Sequence, residues 1–136
     1  MYTPRSHILV DTNIISEIMR RSPDTKVFAW FSSLENPAIS TITVEEIISG
    51  LHRTAYYEKE AWFRRFSGSA VTILPIDAEM AFWVGEKRGL FSSKGIQVHQ
   101  ADAFIAATAW RHGLILATRN TKDFTEFDIP LFNPFN

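Results

Sequence analysis

The sequence predicts an α/β fold, a three-layer α/β/α sandwich with a short, mainly parallel central sheet, and three observations carry that expectation. Short apolar runs alternate with longer segments whose apolar residues recur at helical spacing, and strands separated by helices pair in parallel through right-handed crossovers. The segment Asp102 to His112 is rich in small residues, Ala103, Ala106, Ala107 and Ala109, as a helix packed closely on a sheet would be. No repeat, low-complexity tract or Pro/Gly-rich linker divides the 136 residues, so residues 1–136 read as one domain.

Ile8 to Val10 reads as a buried strand, followed by a helix from Asn13 to Arg21 with Ile14, Ile15 and Ile18 on one stripe. Ser22-Pro23-Asp24 breaks it and starts a second helix to about Leu34, which Asn36-Pro37 stops. Ala38 to Thr41 is a short strand leading to Thr43, and Val44, Ile47, Ile48 and Leu51 form the face of the next helix, which Gly50 weakens without ending. A helix from Tyr56 to Phe66 closes at Ser67-Gly68-Ser69, and Val71 to Leu74 is a third strand. Asp77 caps a helix from Ala78 to about Leu90, and Ser92 to Val98 is a loop. Gly113 ends the alanine-rich helix, Leu114 to Ala117 is a fourth strand, Thr118 to Lys122 its exit loop, and Pro130 to Phe132 a short edge strand.

Composition narrows the chemistry. Without cysteine there is no thiol nucleophile, thiolate zinc site or disulfide framework. The absence of a leader-like opening or a membrane-length apolar stretch gives the expectation of a soluble, cytoplasmic protein. A formal net charge of −1 does not announce a nucleic-acid binder, so any such partner is held by local basic groups. These cluster at Arg20-Arg21, Arg64-Arg65, Lys87-Arg88 and at Arg119 with Lys122, the last beside a candidate site loop; the alternative is solvated helix ends, which is the preferred reading for Arg64-Arg65.

The run into Asp11-Thr12-Asn13 places an acid at the carboxyl end of the first strand, where open α/β sheets build sites. Asp-Thr-Asn is also ordinary cap chemistry. Two more acids, Glu46 and Asp102, stand near helix starts among apolar or small residues. Converging carboxylates without histidine or cysteine are hard oxygen ligands suited to magnesium or manganese. A cation also lets them coexist, since like charges about 4 Å apart repel by about 4 kcal/mol at an effective dielectric of 20. A divalent ion there generates and orients a bound water for phosphodiester hydrolysis. Each acid has a structural alternative: Glu46 in a Thr43-x-x-Glu46 capping box, Asp102 as an N-cap. Glu45 points about 100° away around the helix.

His7, His52, His99 and His112 have no metal spacing, the tryptophans fit core or interface, Ser16 and Ser40 lack a base in register, and there is no glycine-rich phosphate loop. The strand-Asp-Thr-Asn junction superficially matches aspartyl-nucleophile phosphatases, but those normally carry a second acid where Asn13 stands.

Ile8-Leu9-Val10-Asp11-Thr12-Asn13, Thr43-Val44-Glu45-Glu46, Ala101-Asp102-Ala103-Phe104-Ile105-Ala106-Ala107-Thr108-Ala109 and Leu116-Ala117-Thr118-Arg119-Asn120, in this order, resemble the PIN-domain ribonucleases, specifically VapC-type toxins of toxin–antitoxin pairs. The stretch Val10 to Glu17 and the ending Phe132-Asn133-Pro134-Phe135 look most like the FitB branch. The resemblance implies that Asp11, Glu46 and Asp102 bind Mg2+ or Mn2+, with Thr12 and Asn13 supporting the first. Where the family often has a fourth acid, this chain has Asn120; Asp123 is positioned to compensate, and Thr118 to position the loop. The resemblance further implies a homodimer and a VapB/FitA-like antitoxin that supplies any binding to operator DNA. The antitoxin's groove would lie on the helices spanning Val27 to Leu34 and Tyr56 to Phe66.

The function expected is thus a magnesium-dependent endoribonuclease toxin that hydrolyses RNA, with Arg119, Lys122 and Arg88 as candidate RNA contacts. The alternative, kept open by Asn120, is a PIN-fold regulatory protein with a weakened site that acts through an antitoxin–operator complex.

Overall fold

The computed structural model describes residues 3–136. Five strands form one all-parallel sheet: β1 (Ile8–Val10), β2 (Ala38–Ser40), β3 (Thr72–Leu74), β4 (Ile115–Ala117) and β5 (Leu131–Phe132), in the spatial order β3-β2-β1-β4-β5. The helices are α1 (Thr12–Ile18), α2 (Thr25–Ser32), α3 (Thr41–Thr54), α4 (Tyr57–Ser69), α5 (Ala78–Ser93) and α6 (Gln100–His112), and a 3-10 helix spans Thr121–Phe127. None of the helices among the described residues is long and apolar enough to cross a membrane.

β1 shows why the centre of the sheet is buried on both faces. Ile8 and Val10 point into a cluster with Ile14, Ile15, Ile18, Val27, Ile47 and Phe63, drawn from α1 to α4. Leu9, between them, points the other way into Met80, Val84, Ala103, Ala106, Ala107 and Phe127, drawn from α5, α6 and the 3-10 helix. This period-two alternation makes the three layers, and the alanine row of α6 lets that helix lie close to the sheet.

Helix boundaries shift where local signals compete. α1 ends three residues earlier than expected, with Met19 as its C-cap. α2 starts on the Asp24 cap but stops at Ser32. α4 and α5 run through glycine to Ser69 and Ser93; beyond the helix's own backbone and chain neighbours, nothing lies within 4 Å of where a Cβ would stand at Gly68, Gly85 and Gly89, so no close contact requires glycine there and its weak propensity does not end either helix. Asp77 caps α5 by accepting from the Met80 amide at 2.8 Å, and Gly113 (φ +64°) closes α6 in the left-handed conformation.

The chain leaves β1 toward β2 and β3, then returns to the other side of β1 with β4. The switch in strand order therefore lies between β1 and β4, and the crevice at their carboxyl ends is where such sheets bind ligands.

Candidate active site

Val10 is paired with Ala117 at the ends of β1 and β4, so the next residues, Asp11 and Thr118, are neighbours. Thr118 Oγ1 donates to Asp11 Oδ2 at 2.7 Å, and the Thr12 amide donates to Asp11 Oδ1 at 2.8 Å. Asp11 is thus both the α1 N-cap and a buried acid, 5% exposed; cap and site are one residue in two roles. Thr118 Oγ1 accepts from Asn13 Nδ2 at 3.4 Å and from the Asn120 amide at 3.0 Å, which uses all the capacity of one hydroxyl. Asn13 Oδ1 accepts from the Arg119 amide at 3.2 Å. The expected support from Thr12, Asn13 and Thr118 is therefore a connected hydrogen-bond network.

Glu46 is reached from α1. Thr12 Oγ1 donates to Glu46 Oε1 at 2.7 Å and lies 2.9 Å from Thr43 Oγ1. Because Thr12 has one hydroxyl proton and gives it to Glu46, Thr43 donates to Thr12. The capping box at Thr43 and Glu46 does not form: α3 begins at Thr41 and is capped by Ser40, whose hydroxyl accepts from the Ile42 amide at 3.0 Å, while Thr43 is fully buried within the helix. Nor is Asp102 an N-cap. His99 holds that position and Asp102 lies in the first turn, where a carboxylate is favoured by the helix dipole.

Asp11, Glu46, Asp102, Asn120 and Asp123 line one cavity of about 500 Å³ together with Thr12, Asn13, Ser16, Glu17, Arg20, Arg119 and Phe124. Lys122 lines a smaller cavity alongside, which shares Asp102 and Asp123. Arg88 is exposed on α5 and lines neither. Sequence reasoning misses Ser16, Glu17 and Arg20 as site residues. Their signal is the row Asn13, Ser16, Glu17 and Arg20, three and four residues apart on the helix that Asp11 starts.

Burial pushes the Asp11 carboxyl up to about 6; the bonds from Thr118 and the Thr12 amide oppose this, and the charges of Asp102 and Glu46 add to it. Asp102 is also raised, by burial first and then by Asp123 and Glu46, with His99 opposing. Among the described residues no group of three His, Asp or Glu side chains is already arranged to enclose a metal ion. The donor chemistry nevertheless fits a hard divalent cation: carboxylates and an amide oxygen line one cavity, and their mutual repulsion is what such a cation would relieve.

A PIN-domain family model matches residues 8–130, and the chain belongs to that family. Within it, the chain is of the VapC type, the toxins of toxin–antitoxin pairs, and is similar to the FitB branch. Toxin FitB of Neisseria gonorrhoeae is 36% identical over 95% of this chain and 99% of its own. VapC ribonuclease Y4jK of Sinorhizobium fredii is 32% identical over 94% and 97%. Among solved structures, the crystal structure of FitAcB from N. gonorrhoeae superposes with a TM-score of 0.82 at 34% identity, covering 95% of this chain and 99% of that one. A structure of FitAB bound to an IR36 DNA fragment gives 0.78 at 34% identity, covering 95% and 96%.

Proposed function

We propose that this protein is a magnesium-dependent endoribonuclease, the toxin of a VapBC-like pair, restrained by a VapB/FitA-like antitoxin. The observation that carries the reading is the placement of Asp11: buried at the β1–β4 switch point, fixed through both oxygens, and facing Glu46 and Asp102 across one cavity. The names of relatives such as VapC ribonuclease Y4jK support the nuclease activity.

Asp11, Glu46 and Asp102 would hold Mg2+ (or Mn2+), with Asn120 and Asp123 on the same wall. When bound, the ion would supply Lewis-acid stabilisation of phosphoryl charge and ease the ionisation of water. The residues do the rest. Thr118 and the Thr12 amide hold the Asp11 carboxylate in one orientation, and Thr12 does the same for Glu46. Arg119 and Lys122, exposed at the cavity margins, are placed for RNA phosphates.

The antitoxin fits the surface of α2 and α4. These helices meet through Phe31 and Phe66, ring centroids 5.8 Å apart, while Phe28, Tyr57 and Trp62 stay exposed. Val27, Trp30 and Phe63 belong to the core instead. Operator binding belongs to the antitoxin in this reading, and the similar FitAB complex, solved bound to DNA with both of its proteins present, is compatible with that division.

The test is RNA cleavage by purified parent and Asp11→Ala in magnesium and in EDTA, with circular dichroism to check the fold. Cleavage should need magnesium and vanish in the variant. A folded Asp11→Ala protein that cuts as fast as the parent sinks the assignment.

A further inference from the structure

One buried carboxylate bordering the cavity, Glu17, has no part in the metal-holding role proposed above. Glu17 is 5% exposed on α1, and its Oε2 accepts from Arg20 Nη1 at 2.8 Å and from the Asp24 amide at 2.8 Å. The amide bond fixes the carboxylate against the start of α2, so Glu17 is an anchored acceptor and not a swinging surface acid. Its partner is different: the Arg20 side chain is 61% exposed and lines the cavity that holds Asp11, Glu46 and Asp102.

Glu17 borders the same cavity, so pairing with it already brings the arginine there, but that pairing does not use up the guanidinium. A guanidinium carries five N–H donors in a planar fork, and Glu17 engages it through one nitrogen, leaving donors directed to solvent. The cavity also needs cations. Five of its lining residues are acids against two arginines, and the whole chain has a formal net charge of −1, so a polyanion gains its binding free energy from local basic groups. Arg119, the other arginine lining this cavity, is restrained in another way, its guanidinium carbon 4.3 Å from the centroid of the Phe135 ring.

We propose that Arg20, held at the cavity by buried Glu17, binds a phosphate of the RNA flanking the cleaved bond, as a second guanidinium beside Arg119. The inference rests on the nuclease reading above. Glu17 is the positioning residue and Arg20 the substrate contact.

The experiment measures steady-state cleavage of a labelled single-stranded RNA in magnesium by parent, Arg20→Ala and Arg20→Lys over a range of KCl concentrations, with thermal melts of all three. Arg20→Ala should raise KM about tenfold, as loss of one charge-assisted bond does, with a much smaller change in kcat. It should also flatten the slope of log KM against log salt by about 0.7, one phosphate contact on a single strand. Arg20→Lys keeps the charge and should keep the parental slope with a smaller rise in KM. If Arg20→Ala leaves KM unchanged, or raises it with the salt slope intact, Arg20 is only a structural partner of Glu17 and the proposal falls. Should Arg20→Ala fail to fold, Arg20→Gln takes its place, and an unchanged KM or an intact salt slope in that variant would overturn the proposal equally. A parent that leaves RNA intact defeats the nuclease reading itself, whereas an active parent with an indifferent Arg20 defeats only this inference.

Discussion

On the wall of the cavity built from β1 and α3, the acids are fixed by hydroxyls: Asp11 by Thr118 and Glu46 by Thr12, which Thr43 backs in turn. On the wall built from α6 and the 3-10 helix, the side chains of Asp102, Asn120 and Asp123 make no hydrogen bond among the described residues, and Asn120 and Asp123 are exposed. The first wall is bound into the sheet through the β1–β4 register, whereas the second consists of the first turn of α6 and the start of the 3-10 helix. In the proposed reading, oriented acids on one side and unbonded ones on the other would let the cavity accept an ion without being collapsed around it beforehand. This accounts for a site whose donor types suit a metal although no three acids yet enclose one.

The largest effect expected from this contrast is on the pH dependence of stability. A carboxyl held at about 6 in the fold against an ordinary 3.8 favours folding when protonated. That contribution is fully present below pH 3.8 and is lost as the pH rises through 6. In EDTA at pH 8, Asp11→Asn should therefore be more stable than the parent by about 3 kcal/mol, with the gap closing as the pH falls toward 4. Urea denaturation at several pH values measures it, and a gap independent of pH would show that burial of the Asp11 charge is not its source. Next comes Thr118→Val, which removes the hydroxyl from the fixed wall and should weaken magnesium binding by about 10- to 100-fold in calorimetry. An unchanged affinity would mean that the fixed wall contributes nothing to ligand orientation. The smallest change is expected on the loose wall. Asn120→Asp adds an exposed charge and should tighten magnesium binding by up to about fivefold. No heat of magnesium binding in either the parent or this variant would favour the regulatory alternative over the nuclease.

The two walls are legible in the sequence to different degrees. β1 and Asp11 stand out because a strand buried on both faces has no alternation to blur it, and the acid follows it directly. Gly113 and Asp77 are readable because a left-handed closure and an N-cap are local chemistry. Thr43 misleads because its spacing to Glu46 satisfies a local rule, while its actual partner, Thr12, is 31 residues away. The junction role of Thr118 is illegible for the same reason, since its bond to Asp11 exists only through the β1–β4 register. Arg20 reads as a solvated helix end; its burial partner Glu17 turns inward because the next helix presents an amide to it.

The bond between Thr118 and Asp11 spans 107 residues, and β1 has its β4 partner only after β2, β3 and α1 to α6 have been made. Contacts that distant in the chain form late, after the cost of closing a long loop. During translation, Asp11 leaves the ribosome 107 residues ahead of Thr118. Throughout the synthesis of that intervening stretch the nascent chain carries the acid without the hydroxyl that aims it, so the order of synthesis withholds the finished site until β4 has emerged.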